Sequence, residues 1–464
     1  MARELFLNAF AMNCVGHQSQ GLWRHPRDKS AEYKHTRHWV ELARLLERGK
    51  FDGLFLADVV GVYDVYGGSP DTALREAVQV PTNDPLLVIP PMAEATENLA
   101  FAVTVNLSHE APLPFARRMS TLDHMTDGRI GWNIVTGYLD SGAKGAGQGK
   151  QVAHDTRYDI AEEFVTIQYD VWEGSWEENA VRRDRETGVF TNPAKVHRVT
   201  HDGQYFRVDG VHLCEPSPQR TPVLYQAGSS AKGTAFAARH AECVFVGGHS
   251  RSKMAADVAN LRALAVQAGR APSDIKIFAL ATVITGATDE AAQAKFEDYR
   301  RYVSAPGALA LIAGWSGIDF SKPDLVSSGA AGSNAIQTAA AMFTEGGPAE
   351  YRDLDKLAQT IGLGGGGPVL VGGPQSVADE LEAWAAESDL DGFNLAYTVM
   401  PETFADVVDY IVPELQRRGL FKKDYAPGTY REKLFQRGPR LEDNHPAARL
   451  RRGRKKGVPA EVAV

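Results

Sequence analysis

Short runs of aliphatic, β-branched and aromatic residues, each ending in a small or polar position, recur along the chain. Between them lie longer stretches whose apolar positions repeat with helical spacing. The runs fall at 4–10, 53–57, 102–106, 129–136, 222–227, 243–246, 275–284 and 392–396. Strands that alternate with helices pair in parallel, so the pattern predicts an α/β fold, and eight strands predict closure into a (β/α)8 TIM barrel. Two intervals are too long for a crossover helix of roughly 10–15 residues. They predict insertions after strands 4 and 7, at 140–220 and 304–367, that cover the C-terminal mouth of the barrel. The first combines a glycine-rich stretch, a helix over 158–172 and a hairpin around 201–205. The second is rich in Ala, Gly and Ser and ends in four glycines, 364–367.

Composition narrows the class of molecule. At 464 residues, with 44% hydrophobic and 23% charged positions, the chain suits one elaborated barrel domain over 1–445. A basic tail follows over 446–464, carrying Arg449, Arg451, Arg452, Arg454, Lys455 and Lys456 without apolar periodicity, and reads as a flexible, solvated end. A net charge of −8 speaks against a nucleic-acid surface, which needs a basic field. The three cysteines, Cys14, Cys214 and Cys243, are odd in number and lack metal-binding spacing, which suits a reducing, cytoplasmic location. The N-terminus reads as a first strand and not as a signal peptide. The charge-free run 302–318 is broken by Ser, Pro and three glycines, so no membrane span is expected.

Ligands of such barrels bind where the strands end. Asp58, Asn106, Asn133 and Thr136 close their strands and are candidate contacts, although polar residues there also cap helices. The segment Gln226-Ala-Gly-Ser-Ser-Ala-Lys-Gly233 joins a strand to a helix. Its backbone N–H groups around Ala227, Gly228, Ser229 and Ser230 can approach a phosphate at the positive end of the helix dipole. His154-Asp-Thr-Arg-Tyr-Asp159 adds a cation, Arg157, and a phenol, Tyr158, that could complete the clamp; a surface ion pair of Arg157 with Asp155 or Asp159 is the plainer alternative. Nucleotide-binding Gly-Lys, zinc-binding His-Glu-x-x-His and serine-elbow motifs do not occur. The missing nucleophile and metal leave an organic cofactor to carry the chemistry.

Several long motifs appear together and in order: Phe51-Asp-Gly-Leu-Phe-Leu-Ala-Asp58, Thr121-Leu-Asp-His-Met-Thr-Asp-Gly-Arg-Ile-Gly-Trp-Asn-Ile-Val-Thr136, His154–159, and Glu215-Pro-Ser-Pro-Gln-Arg-Thr-Pro-Val-Leu-Tyr-Gln-Ala-Gly228. In these the chain resembles the bacterial-luciferase-like monooxygenases, within them the nitrilotriacetate, dibenzothiophene sulfone, long-chain alkane and dimethyl sulfide group. The resemblance implies noncovalent FMN, delivered reduced by a separate NAD(P)H-dependent flavin reductase, with O2 as co-substrate and a homodimer or homotetramer. It implies Asp58, Asn106 and Thr136 around the flavin ring and Tyr158, Ser229 and Ser230 on the phosphate, with His154, Arg157, Ala227 and Gly228 beside them. The catalytic candidates are Cys14 and His17, past the first strand at the barrel mouth, whose thiol or imidazole could donate a hydrogen bond to a flavin peroxide, and Tyr63 and Tyr138, which would line the pocket and could steady a polarised oxygen. Each of these four has a packing role as its alternative. The alkane enzyme places histidines at positions 138 and 311, where this chain has Tyr138 and Leu311. The dimethyl sulfide branch resembles it there and through Gly314-Trp-Ser-Gly-Ile-Asp-Phe320. The expectation is oxidation of a small, mostly apolar molecule, foremost an organosulfide, with an alkane, sulfone or amine as alternatives. A deazaflavin oxidoreductase and a flavin-binding protein without turnover are the competing classes.

Overall fold

The computed structural model describes residues 4–228, 230–322, 336 and 353–452. In chain order its strands are β1 (Phe6–Met12), β2 (Gly53–Ala57), β3 (Ala100–Asn106), β4 (Ile130–Val135), β5 (Val181–Asp184), β6 (Val189–Thr191), β7 (Val199–Asp202), β8 (Arg207–Gly210), β9 (Val223–Gln226), β10 (Cys243–Val246), β11 (Lys276–Thr285), β12 (Val369–Gly372) and β13 (Gly392–Ala396). Eight of them form a closed ring in the order β1-β2-β3-β4-β9-β10-β11-β13, and every pairing in it is parallel. The (β/α)8 barrel is the fold.

Side-chain alternation explains the ring. On β1, Leu7, Ala9 and Ala11 join the buried cluster that includes Trp39, Leu42 and Leu46 of the helix Thr36–Arg48. Phe6 and Phe10 turn the other way, into an aromatic layer with Phe55, Tyr225, Phe245 and Phe278. The rings there are close-packed, with centroids 4.4 Å apart for Phe55 and Phe245 and 5.4 Å for Tyr225 and Phe245. A helix from the C-terminal region, Tyr430–Phe435, plugs this end. The Tyr430 hydroxyl hydrogen-bonds that of Tyr225. Arg431, 2% exposed, donates to both oxygens of Glu242 (2.6 and 2.9 Å) and to the carbonyls of Thr221 and Pro222 just ahead of β9. Among the described residues aromatics fill the N-terminal end, and the C-terminal end of the strands is the one left for a ligand.

The two long intervals contain more than crossovers. The first holds the helix His154–Tyr169, a π-helical turn at Asp170–Gly174 and two antiparallel hairpins, β5–β6 and β7–β8. The second holds the helices Ala305–Ser316 and Leu354–Ile361 and the strand β12. The strand pattern misses β12, because its partner is the end of β11: Thr282, the last residue that β11 pairs with β13, and Val283–Thr285 beyond it pair with Val369–Gly372. The start of the basic tail is fastened down. Arg451 has a side chain only 5% exposed and donates to buried Glu173 (2.7 Å), which Arg440 also engages. Arg454, Lys455 and Lys456 lie outside the described residues.

Candidate active site

A cavity of about 260 Å³ opens where β2, β3, β4 and β9 end. Asp58 follows β2, Asn106 closes β3, Thr136 follows β4 and Gln226 closes β9, and all four line it. Its two flanks differ in chemistry. His154, Arg157, Tyr158, Gly228 and Ser230 make one side polar, whereas Val59, Val60, Leu139 and Ile336, with Tyr138, make the other apolar.

The polar flank is built by two helix beginnings. Ser230 caps the helix Ala231–His240, its Oγ accepting from the Gly233 N–H at 3.1 Å. The Gly228 N–H donates to Gln226 Oε1 at 2.7 Å, which fixes the turn out of β9. Tyr158, in the first turns of the helix His154–Tyr169, places its hydroxyl between the two glycines. A Cβ at Gly228 or at Gly233 would lie 2.6 Å from that oxygen, so only glycine leaves room for it. Asp155 is engaged by His154 (2.8 Å) and Asp159 by Lys232 (2.6 Å). Arg157 is 3% exposed and donates to the Val152 carbonyl at 2.9 Å. Burial lowers its pKa, yet a guanidinium remains charged at neutral pH. A buried cation, a phenol and the start of a helix on one wall form an anion-binding arrangement.

At the opposite side, burial and then the charge of Asp84 push the pKa of Asp58 up to about 7. Cys14 and His17 lie behind the wall, each 1% exposed. Burial, and then the charge of Asp58, raises the Cys14 pKa well above the usual thiol range, so it stays a thiol and donates to the Gly16 carbonyl at 3.5 Å. Burial lowers the His17 pKa to about 3, leaving a neutral ring that packs edge-on against Phe10, centroids 4.4 Å apart. The Tyr63 hydroxyl meets that of Tyr138 at 2.6 Å and donates to Gln79 Oε1 at 2.9 Å. Tyr63 can lie there because position 314 is glycine: a Cβ would stand 1.9 Å from its ring. Leu311, fully buried, belongs to the same apolar cluster as Tyr63 and Leu139.

Among the residues singled out in the sequence, Asp58, Asn106, Thr136, Tyr138, His154, Arg157, Tyr158, Ala227, Gly228 and Ser230 meet in this one cavity. Cys14, His17 and Tyr63 are not in its lining; Tyr63 adjoins it through its hydrogen bond to Tyr138. Asn133 is buried within the barrel, donating to Thr104 at 2.9 Å. Ser229 lies outside the described residues. The site also draws on Gln226, Gly233, Gln79 and Trp315, none of them singled out as a candidate from the sequence. Gln226 and Gly233 stand at the two ends of the strand-to-helix motif, and Trp315 stands within Gly314–Phe320. Gln79 carries no local signal, being brought in by long-range packing. Among the described residues no cluster of His, Cys, Asp and Glu could hold a metal ion, and no helix is long and apolar enough to cross a membrane.

A closed parallel barrel with an anion-binding flank facing an apolar one is the frame of a cofactor-dependent barrel enzyme, and residues 13–390 match the family described as luciferase-like monooxygenase. The chain belongs to the bacterial luciferase-like monooxygenase family and is a flavin-dependent monooxygenase. It is 50% identical to the dimethyl-sulfide monooxygenase of Hyphomicrobium sulfonivorans over 453 residues, 97% of this chain and 94% of that protein. It is likewise 50% identical to the long-chain alkane monooxygenase of Geobacillus thermodenitrificans over 452 residues, 97% of this chain and 99% of that protein. Among solved structures, riboflavin lyase (RcaE) with modified FMN and its substrate riboflavin superposes with a TM-score of 0.90 at 36% identity, covering 97% of this chain and 100% of that one.

Proposed function

We propose that this chain is the oxygenase of a two-component system that uses reduced FMN, supplied by an NAD(P)H-dependent flavin reductase, and O2 to oxidise a small, mostly apolar molecule, foremost an organosulfide such as dimethyl sulfide. The observation that carries the reading is the two-faced cavity. The glycine cradle around the Tyr158 hydroxyl, the Ser230-capped helix start and buried Arg157 fit the phosphate end of FMN. Asp58, Asn106 and Thr136, at the ends of β2, β3 and β4, would face its ring. When bound, the flavin supplies the reactive electron carrier for O2. The chain's own task is to orient it and to keep water from the apolar flank beside Tyr138.

An apolar substrate is favoured by the flank of Val59, Val60 and Leu139 beside Tyr138. A long-chain alkane is the second reading, supported by the equal identity to the alkane enzyme. The test incubates the protein with NADH, a flavin reductase, FMN and either dimethyl sulfide or hexadecane, and analyses products by gas chromatography. Sulfide consumption that requires both the reductase and this chain is expected. Consumption of hexadecane alone would transfer the assignment to the alkane reading, and loss of neither would refute both.

A further inference from the structure

The hydrogen atoms behind the apolar flank can be counted. The backbone carbonyl of His17 has only lone pairs to offer, so the group of Gln79 that lies 3.0 Å from it must be the amide Nε2. That fixes the orientation of the Gln79 side chain and turns Oε1 toward Tyr63, 2.9 Å away. An amide oxygen only accepts, so the single hydroxyl proton of Tyr63 is committed to Gln79. Across the 2.6 Å contact between the two phenols, Tyr63 has no proton left, and Tyr138 must donate. The remaining aromatic neighbour, Trp315, packs in the same apolar cluster as both phenols. Its indole N–H is a donor without a lone pair to give, so it can take no proton from either of them. The chain of bonds therefore runs one way, from Tyr138 through Tyr63 to Gln79. The glycine seat at position 314 holds Tyr63 in that line.

We infer that Tyr138, the member of the pair that lines the cavity and whose proton is held by buried Tyr63, offers the substrate side a hydrogen-bond acceptor only, so that this wall recognises small ligands bearing an O–H or N–H group and gives nothing to ligands whose only polar atom is an acceptor oxygen. Gln79 is the positioning residue that sets this polarity without lining the cavity. The inference rests on the reading of this cavity as the substrate site and adds the polarity of its wall. For an apolar substrate such as a sulfide, the wall is neutral on entry. The polarity matters for oxygenated ligands, among which an alcohol is held and a sulfoxide or ketone is not.

A pair of ligands of nearly equal shape and opposite polarity tests this: 2-propanol and acetone, their binding compared by saturation-transfer NMR with and without oxidised FMN. The wild-type protein should bind 2-propanol about 5-fold more tightly than acetone, the worth of one hydrogen bond. Tyr138→Phe should bring the two affinities together. Tyr63→Phe removes the acceptor of the Tyr138 proton, frees that proton for the cavity, and should reverse the preference; Gln79→Leu should act in the same direction by freeing the Tyr63 proton. Both phenylalanine variants keep the aromatic ring that packs, and circular dichroism checks that they fold. Equal or tighter binding of acetone by the wild type would overturn the inference, as would an unchanged preference in Tyr138→Phe or in Tyr63→Phe. Failure of FMN to bind, with the alcohol preference intact, would instead remove the proposed function and leave the proton count standing.

Discussion

Asp58 is where burial acts most directly on the chemistry of the site. Desolvation and the nearby charge of Asp84 raise its pKa to about 7, so below that pH the carboxyl is neutral and above it the cavity mouth gains a negative charge. FMN is itself an anion, and ionisation of Asp58 adds repulsion. Flavin affinity should therefore fall as the pH rises through about 7, by several-fold. In Asp58→Asn this component should disappear, leaving only the titration of the phosphate. Fluorescence-quenching titrations of both proteins across that interval measure it; superimposable pH profiles would show that Asp58 does not feel the ligand. Residues such as Asp58, Asn106 and Tyr158 were legible in the sequence because a strand end or a motif marks them. Gln79 was not, for its role depends on a carbonyl of His17 sixty-two residues away in the chain. For Cys14 and His17 only burial reveals that one stays protonated and the other neutral.

At the scale of elements, helix propensity and the proposed FMN site make opposite demands on Gly233 of the helix Ala231–His240. Alanine there would favour the helix by about 1 kcal/mol. It would also put a Cβ 2.6 Å from the Tyr158 hydroxyl and 3.0 Å from Ser230 Oγ, displacing two groups of the anion-binding wall. Gly233→Ala should thus leave the thermal midpoint unchanged or raised while weakening FMN binding by about tenfold, the loss of one or two hydrogen bonds. A drop in stability with unchanged FMN affinity would mean that this glycine serves packing alone. The eight barrel strands could be read from sequence because both of their faces are buried, giving compact apolar runs. β12 could not, since Val369-Leu-Val is short and acquires its meaning only from the overhang of β11. The helix at 154 begins four residues before its apolar periodicity, because its first turn is occupied by His154, Asp155 and Arg157, residues suited to the mouth and not to the core.

For the whole molecule, ring closure was legible from the number and spacing of strands, whereas the sealing of the N-terminal end was not. The plug comes from Tyr430 and Arg431, far along the chain from the strands they close, and no local pattern announces such a partner. This division, aromatics at one end and a polar-apolar cavity at the other, would direct a flavin and its substrate to a single mouth. The identity of the substrate is less legible because an apolar wall discriminates by shape, and one methylene is worth only about 1–3 kcal/mol. The central claim is that the cavity holds reduced FMN and controls its reaction with O2. Rapid mixing of the protein, preloaded anaerobically with reduced FMN, with O2-containing buffer tests it most directly, following the return of oxidised-flavin absorbance beside that of free reduced FMN. The account predicts that the bound flavin returns through a slower, distinct phase whose rate changes when dimethyl sulfide is present. Reoxidation indistinguishable from that of free flavin would contradict it.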